Sequence, residues 1–248
     1  MVDTHKDWLE ELERKSRLKQ EAFMNGIAGK LGRPRIAAAP AHPFRGAPAF
    51  WGEFDWQEEE RISAFEANFR SAGGHVERLP DMERASAFIA GKAMETGARR
   101  IMRQDQPELA LLQLEQALPG AEIKVWNSST TDGEDNPSYW KTRAAEADFG
   151  VVMADYAAAY TGSVTVLSAA GKGRSVSLLP TVLFVILPVE RLVTRLGEVL
   201  VNFDRMGGEG LPAGIHFISG PSRSADIEND LTIGVHGPGI VYTLIVGA

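Results

Sequence analysis

Residues 58–79 read EEERISAFEANFRSAGGHVERL, and this stretch contains the alternation on which the architecture depends. Its first part has apolar residues at helical spacing: Ile62, Phe65, Phe69 and Ala72. The pair Gly73-Gly74 ends that helix, and His75–Leu79 then reads as a short strand. The same order of helix and strand continues along the chain, which is typical of βα units around a mainly parallel sheet.

Short β-rich runs and helical segments take turns through the remaining residues. The predicted strands are His75–Leu79, Arg99–Arg103, Glu122–Trp126, Phe149–Met153, Ser163–Ser168, Thr181–Leu187, Ile215–Ile218, Leu231–Val235 and Val241–Val246. The predicted helices between them are Met82–Ile89, Glu108–Ala117, Ser138–Ala147 and Val189–Phe203. The apolar face of the last helix is expected in the core. We therefore predict an α/β fold with a mainly parallel sheet flanked by helices.

The first thirty residues differ from the rest by their high density of charge. Apolar residues recur there at loosely helical spacing: Trp8, Leu9, Leu12, Phe23, Ile27 and Leu31. The string Gly32-Arg33-Pro34 ends this helix, and prolines at 40, 43 and 48 predict an extended linker. The expected division is a helical arm at 1–35, a linker at 36–55 and an α/β domain at 56–248.

Composition excludes several classes of function. The 248 residues include no cysteine, which rules out thiolate-bound zinc, cysteine-ligated iron–sulfur clusters and cysteine nucleophiles. A net charge of −7 argues against duplex nucleic acid or an anionic membrane as the main partner. The most apolar stretch, Val176–Val189, is too short to span a bilayer, and the N-terminus lacks a signal-like apolar core. The expected location is cytoplasmic.

Three polar clusters follow predicted strands, where ligand sites of open α/β sheets lie. The first runs from Asp155 to Tyr160-Thr161-Gly162-Ser163, where Gly162 permits a tight turn and the hydroxyls can bond a polar ligand. The alternative is a strand-connecting turn in which Asp155 caps a helix.

The second cluster reads GKGRSVSLLP at residues 171–180 and combines glycines with the charges of Lys172 and Arg174. A guanidinium can bind a carboxylate or phosphate with two hydrogen bonds, so the cluster has the composition of an anion site. The alternative is a hairpin turn with solvated cations. Neither a Walker loop nor a G-x-G-x-x-G fingerprint is present.

The third cluster reads GPSRSADIE at residues 220–228 and is predicted to lead from a strand into a short helix. Free amides at the helix start could hold an anion, with Arg223 offsetting the acidic residues that follow. Capping is the alternative. Farther on, His236 lies in the glycine-rich string GVHGPG and could act as a proton donor or anion contact. The histidines have no metal-ligand spacing, and no G-x-S-x-G motif occurs.

Three strings together resemble the signature of the lactate-utilisation protein C family, the LUD-domain proteins. They are GRSVSLLP at 173–180, GPSRSADIE at 220–228 and GVHGP at 234–238. The segment from Glu21 to Pro34 resembles the N-terminal helix of that family, so the resemblance covers nearly the whole chain. One departure is Tyr160, which stands before Thr161-Gly162 where relatives commonly have an acidic residue.

The resemblance implies a fold related to the ribose-phosphate isomerase and CoA-transferase group. It also implies a role in L-lactate oxidation to pyruvate, beside two separate proteins with cysteine-rich cluster motifs. Iron–sulfur clusters are therefore expected only on those partners, with no intrinsic cofactor or redox centre in this chain. The missing cysteines agree with that division.

The favoured hypothesis is an accessory or small-anion-binding subunit of lactate oxidation. Its predicted ligand-binding residues are Thr161, Gly162, Ser163, Arg174, Ser175, Ser177, Gly220, Ser222, Arg223 and Ser224. A second hypothesis is a self-sufficient enzyme on a phosphorylated or acyl metabolite, with Asp226 or His236 as acid–base group. A third is a regulatory binding module. The favoured hypothesis expects the three clusters to share one positively charged cleft.

Overall fold

The computed structural model describes residues 4–35, 54–127, 137–225 and 231–248. The chain divides into two units, Met1–Gly52 and Glu53–Ala248. The first unit contains helix α1 (Thr4–Lys30), after which Gly32 adopts a left-handed φ of 61°. Most of the linker predicted at 36–55 lies outside the described residues, and the domain boundaries stay a prediction.

The described part of the second unit contains twelve strands and seven α-helices. The strands are β1 (His75–Leu79), β2 (Arg100–Arg103), β3 (Glu122–Val125), β4 (Phe149–Met153), β5 (Tyr156–Ala158), β6 (Ser163–Leu167), β7 (Val182–Pro188), β8 (Leu192–Val193), β9 (Ile215–Ile218), β10 (Arg223–Ala225), β11 (Leu231–Ile233) and β12 (Ile240–Val246). The helices are α2 (Glu58–Ser71), α3 (Met82–Thr96), α4 (Pro107–Ala110), α5 (Leu114–Ala117), α6 (Pro137–Glu146), α7 (Arg174–Leu178) and α8 (Leu196–Gly210).

Six strands form a parallel central sheet in the order β1-β12-β7-β4-β2-β3. A four-stranded sheet, β8-β5-β6-β9, has antiparallel pairs between β5 and β6 and between β6 and β9. Strands β10 and β11 form a separate antiparallel pair. Central strand β7 is buried from Val182 to Leu187, which explains its continuous apolar sequence.

Two hydrophobic cores lie on the two faces of the central sheet. One core joins the sheet to α2, α6, α7 and the four-stranded sheet, and includes Ile62, Phe65, Phe69, Trp140, Ala144, Val164, Val176 and Leu192. The other joins it to α3, α4 and α5, and includes Ala85, Ile89, Ala93, Leu109, Leu112 and Leu114. Along β7, Val185 belongs to the first core and Phe184 to the second, as the two-residue period of a strand requires. The predicted α/β class, its mainly parallel sheet and the N-terminal helix are thus confirmed.

The prediction of a single helix at Glu108–Ala117 is wrong. The chain forms two four-residue helices, α4 and α5, and Gln113 between them adopts a left-handed φ of 46°. Leu109 and Leu114 are both buried, one in each short helix. Apolar spacing alone does not reveal a backbone reversal between two buried residues.

The helix predicted at Val189–Phe203 begins later than expected. A 3₁₀ turn at Val189–Arg191 leads into β8, which pairs with β5, and α8 starts only at Leu196. Thr194 is fully buried, and its hydroxyl donates to Asp55 Oδ1 at 2.8 Å. The face of α8 is not simply core, because Leu200 is 43% exposed.

The prediction of a short helix after Ile218 is also wrong for the residues that the structure describes. Arg223–Ala225 is strand β10, paired antiparallel with β11. The backbone N of Ser222 donates to Pro238 O at 2.9 Å, and the backbone N of Gly234 donates to Ser222 O at 2.9 Å. The capping interpretation therefore does not hold at these positions, while 226–230 lie outside the described residues.

Candidate functional site

Polar and aromatic residues gather where β2, β3 and β4 end. The backbone N of Gln104 donates to Val151 O at 3.1 Å, and that of Trp126 donates to Arg103 O at 2.8 Å. The parallel hydrogen bonding thus continues one residue beyond the strands, and it places Gln104 and Trp126 side by side on the same face. This edge is the end of a parallel sheet at which ligands bind.

An ion pair between Lys172 and Asp155 joins the first two sequence clusters. Asp155 Oδ1 accepts from Lys172 Nζ, and Asp155 Oδ2 accepts from the backbone N of Leu167 at 2.7 Å. The two side chains are only 13% and 18% exposed. Asp155 therefore anchors a loop. The alternative interpretation, in which Asp155 caps a helix, does not hold.

The loop between β6 and α7 lies directly on the ends of β2 and β3. The backbone N of Asp105 donates to Gly171 O at 2.8 Å, and Trp126 Nε1 donates to Ala170 O at 3.1 Å. A Cβ on Gly171 would be 2.7 Å from Asp105 O, and one on Gly173 would be 2.0 Å from Trp126 Cε2. Both glycines are thus required by close packing of the loop.

An open cleft of about 560 Å³ lies beside this loop and reaches α6. Its lining includes Trp126, Trp140, Ser168, Lys172, Gly173 and Arg174. The two indole ring centroids are 5.8 Å apart, with an interplanar angle of 45°. The cleft thus combines an apolar wall with two cationic side chains and a hydroxyl group, and it can hold an organic anion.

The two cations of the cleft differ in their surroundings. Lys172 is paired with Asp155, so much of its charge is neutralised. Arg174 is exposed, and its guanidinium makes no ion pair with any residue that the structure describes. A Cβ on Gly214 would be 2.7 Å from Arg174 Cδ, so the aliphatic part of Arg174 packs on this glycine. Arg174 is therefore the group best placed to bind an anion.

His216, which belongs to β9, lies next to Arg174. Burial of the imidazole, with the positive charge of Arg174 as a second cause, lowers the pKa of His216 below its ordinary value. The ring is thus neutral at physiological pH and adds no charge near Arg174.

The lowered pKa of His216 predicts a pH dependence of stability. The unfolded chain binds the proton first, so the contribution of the neutral ring is complete above about pH 6.5 and is lost as the pH falls. Between about pH 7.5 and about pH 5.5, wild-type protein is expected to lose more unfolding free energy than His216→Gln in urea titrations. His236→Gln, which removes an exposed imidazole, is the control, and equal losses in wild type and His216→Gln would contradict the prediction.

The other residues of the first cluster lie away from the cleft. Thr161 and Gly162 form the turn between β5 and β6, where a Cβ on Gly162 would be 2.7 Å from Phe69 N in α2. Ser163 Oγ lies 2.7 Å from Ser219 Oγ. None of the three predicted ligand residues lines the cleft, and Tyr160 packs on Phe54, 5.3 Å between ring centroids. Their ligand role stays a prediction.

Neither serine of α7 lines the cleft, and their ligand role stays a prediction. Ser177 is buried, and its Oγ donates to Arg174 O at 3.1 Å. Ser175 O accepts from the backbone N of Leu179 at 3.0 Å. Of the second cluster, only Lys172, Gly173 and Arg174 line the cleft.

The third cluster lies at the opposite end of β9. Arg174 packs beside Gly214, which precedes β9, whereas Gly220 and Arg223 follow that strand. The guanidinium Nη2 of Arg223 donates to Ala72 O at 2.6 Å. Gly220 has a φ of 100° and lies beside the same carbonyl. The structure therefore does not bring Arg174 and Arg223 into one cleft.

Three more candidates also lie outside the cleft. Ser222 and Ser224 belong to the β10–β11 region, where Ser224 pairs with Thr232. His236 is exposed in the loop between β11 and β12. Asp226 lies outside the described residues. Acid–base roles for Asp226 and His236 stay predictions.

Gln104 and the two tryptophans were not singled out from the sequence. Gln104 is fully buried, and neither amide atom of its side chain has a hydrogen-bond partner among the described residues. The available signal was position, because Gln104 and Trp126 directly follow strands. Within the described part of the chain, no group of three His, Asp or Glu side chains could hold a metal ion, and no helix is long and apolar enough to cross a bilayer.

Replacing Asp155 by asparagine tests the ion pair. The change leaves the ammonium of Lys172 partly buried without its partner, so unfolding free energy is expected to fall by about 1–3 kcal/mol. The freed charge lines the cleft, and lactate is therefore expected to bind more tightly. Urea titration and calorimetry give the two readouts. Asp204→Asn, at an exposed carboxylate of α8 outside the cleft, is the control, and the double variant Asp155→Asn/Lys172→Met should recover stability. Unchanged stability and affinity in Asp155→Asn would contradict the assignment.

The LUD domain model matches residues 62–246 of this chain. The Lactate utilization protein C of Halalkalibacterium halodurans is 35% identical over 223 residues, which cover 89% of this chain and 94% of the relative. The protein of the same name from Shouchella clausii is 32% identical, with coverage of 88% and 93%. The one from Bacillus subtilis is 28% identical, with coverage of 88% and 92%.

A solved structure shares the fold. The crystal structure of a DUF162 family protein from Deinococcus radiodurans matches with a TM-score of 0.54 at 18% sequence identity. The match covers 77% of this chain and 99% of that chain. At this identity the likeness supports the architecture alone.

Proposed function

This chain belongs to the LUD domain family, and from that premise we propose that it is a component of L-lactate utilisation that binds a small organic anion at Arg174. The relatives named Lactate utilization protein C, at 28–35% identity, support the pathway. The observation that carries the binding role is the guanidinium of Arg174, which has no ion-pair partner among the described residues and lies in a cleft at the carboxyl edge of the sheet.

The geometry fits recognition of a carboxylate. The planar guanidinium can donate two parallel hydrogen bonds to the two oxygens of one carboxylate. Ser168 lines the same cleft and offers a hydroxyl group to a substituent such as that of lactate. The chain can thus bind and orient the acid.

Oxidation of lactate removes two electrons, and we propose that partner proteins carry them. It has no cysteine through which an iron–sulfur cluster could be bound. We therefore place the clusters on separate partner proteins of the same pathway, and we place the assembly in the cytoplasm. The role of this chain is then to bind the acid beside those partners.

Growth on L-lactate tests the pathway and the residue together. A bacterium whose own copy is deleted is expected to grow on glucose and to fail on L-lactate. Wild type and Arg205→Gln, an exposed arginine of α8, should restore growth on lactate, whereas Arg174→Gln should not at equal protein level. Normal growth of the deletion strain on lactate would overturn the proposed role in lactate utilisation. Full rescue by Arg174→Gln would overturn the proposed anion site.

A further inference from the structure

The cleft is larger than a three-carbon acid requires. Its volume of about 560 Å³ falls in the range of about 300–1,000 Å³ that accommodates larger organic ligands. Lactate bound at Arg174 would leave the rest of the cleft, beside half-buried Trp126, in contact with water. We infer that the cleft also takes an aromatic monocarboxylate, with its ring beside Trp126 and Trp140 and its carboxylate on Arg174. This inference rests on the anion site proposed above and extends its ligand class.

The indole wall is held in place before any ligand binds. Trp126 Nε1 donates to Ala170 O at 3.1 Å, and the backbone of Gly173 lies against the ring. Trp140 is only 4% exposed and belongs to the hydrophobic core. Two fixed aromatic rings inclined at 45° suit a flat ligand ring, which can contact one in an offset stack and the other by its edge. Little ordering of the protein is then needed for binding.

The charge of the cleft limits the ligand to one negative group. Asp155 neutralises Lys172, so Arg174 is the cation of the lining that remains without a carboxylate partner in the described residues. A second negative group on the ligand would find no second unpaired cation in the described lining of the cleft. A phosphate dianion or a dicarboxylate is therefore a poor match.

Binding of matched probes to the full chain tests the ligand class by calorimetry. The probes are 2-naphthoate, its saturated analogue decahydro-2-naphthoate, naphthalene-2,6-dicarboxylate and L-lactate. Naphthoate is expected to bind about tenfold more tightly than lactate and about fivefold more tightly than the saturated acid. The dicarboxylate is expected to bind more weakly than naphthoate. These comparisons use wild-type protein and need no variant to fold.

Variants then locate the ring. Trp126→Leu is expected to weaken naphthoate binding about tenfold and to weaken lactate binding by a smaller factor, since the change also removes the Nε1 hydrogen bond to the loop that carries Arg174. Arg174→Gln should weaken both. Tyr160→Leu, which removes an exposed aromatic ring outside the cleft, is the matched control and should bind both probes as wild type does. Circular dichroism of each variant confirms that it is folded.

The outcomes separate this inference from the proposed function. Equal affinities for naphthoate and its saturated analogue, or tighter binding of the dicarboxylate, would overturn the inference that the cleft takes an aromatic monocarboxylate. Lactate binding that depends on Arg174, with no naphthoate binding, would overturn the inference and leave the proposed function intact. Failure of both acids to bind would overturn both. A loss of naphthoate affinity in Trp126→Leu that exceeds the loss of lactate affinity would support the ligand class.

Discussion

Replacing Gly220 by valine is expected to lower the free energy of unfolding by about 3–5 kcal/mol. The backbone of Gly220 has a φ of 100°, a conformation that a β-branched residue adopts only with strain. A Cβ there would also lie 2.9 Å from Ala72 O and 3.3 Å from Gly74 N, and neither is a flexible side chain. Urea titration followed by circular dichroism measures the loss.

Gly239→Ala is the control for that substitution. A Cβ on Gly239 would have its nearest contact at 3.7 Å, which is ordinary packing. We expect its stability to change by less than about 1 kcal/mol. If Gly220→Val were as stable as Gly239→Ala, the turn after β9 would not be the constrained element described here.

Replacing Gly173 by alanine is expected to cost about 2–4 kcal/mol and to deform the cleft. The φ of Gly173 is −64°, which alanine adopts without strain, so the effect comes from contact alone. The added Cβ would be 2.0 Å from the ring of Trp126, and either the ring or the loop must move. Lactate and naphthoate binding should both weaken, because Gly173 lies between Lys172 and Arg174.

Gly91→Ala in α3 separates this contact from a general effect of alanine. Nothing lies within 4 Å of a Cβ on Gly91, and alanine favours a helix, so stability is expected to rise by about 0.5–1 kcal/mol. The double variant Gly173→Ala/Trp126→Ala removes the clashing ring and should lose less than the sum of the two single variants. Full additivity would contradict the proposed contact.

The sequence predicts most of the central sheet because its signal is local. His75–Leu79 and Phe149–Met153 have the predicted bounds, since the first directly follows the stop signal Gly73-Gly74 and the second is a short apolar run. The four-stranded sheet was not predicted. Tyr156–Ala158 is only three residues long and is a strand because it pairs with β6 and with distant β8. No local pattern contains that partner.

The candidate site was predicted in its parts and not in its assembly. Lys172 and Arg174 were recognised by their chemistry, and both line the cleft. Which clusters meet depends on strand order and direction, and these are tertiary properties. Because Arg174 lies near one end of β9 and Arg223 beyond the other, two arginines of similar sequence context reach different places. Trp140 joins the cleft from α6, which the sequence predicts only as a helix.

Calorimetric titration of L-lactate into wild type, Arg174→Gln, Arg223→Gln and Arg205→Gln tests the central claim most directly. If the Arg174 cleft binds the acid, Arg174→Gln should weaken binding by about tenfold or more, as expected for a lost charged hydrogen bond. The other two variants should stay within about twofold of wild type. Undiminished lactate affinity in folded Arg174→Gln, or a loss only in Arg223→Gln, would contradict the account.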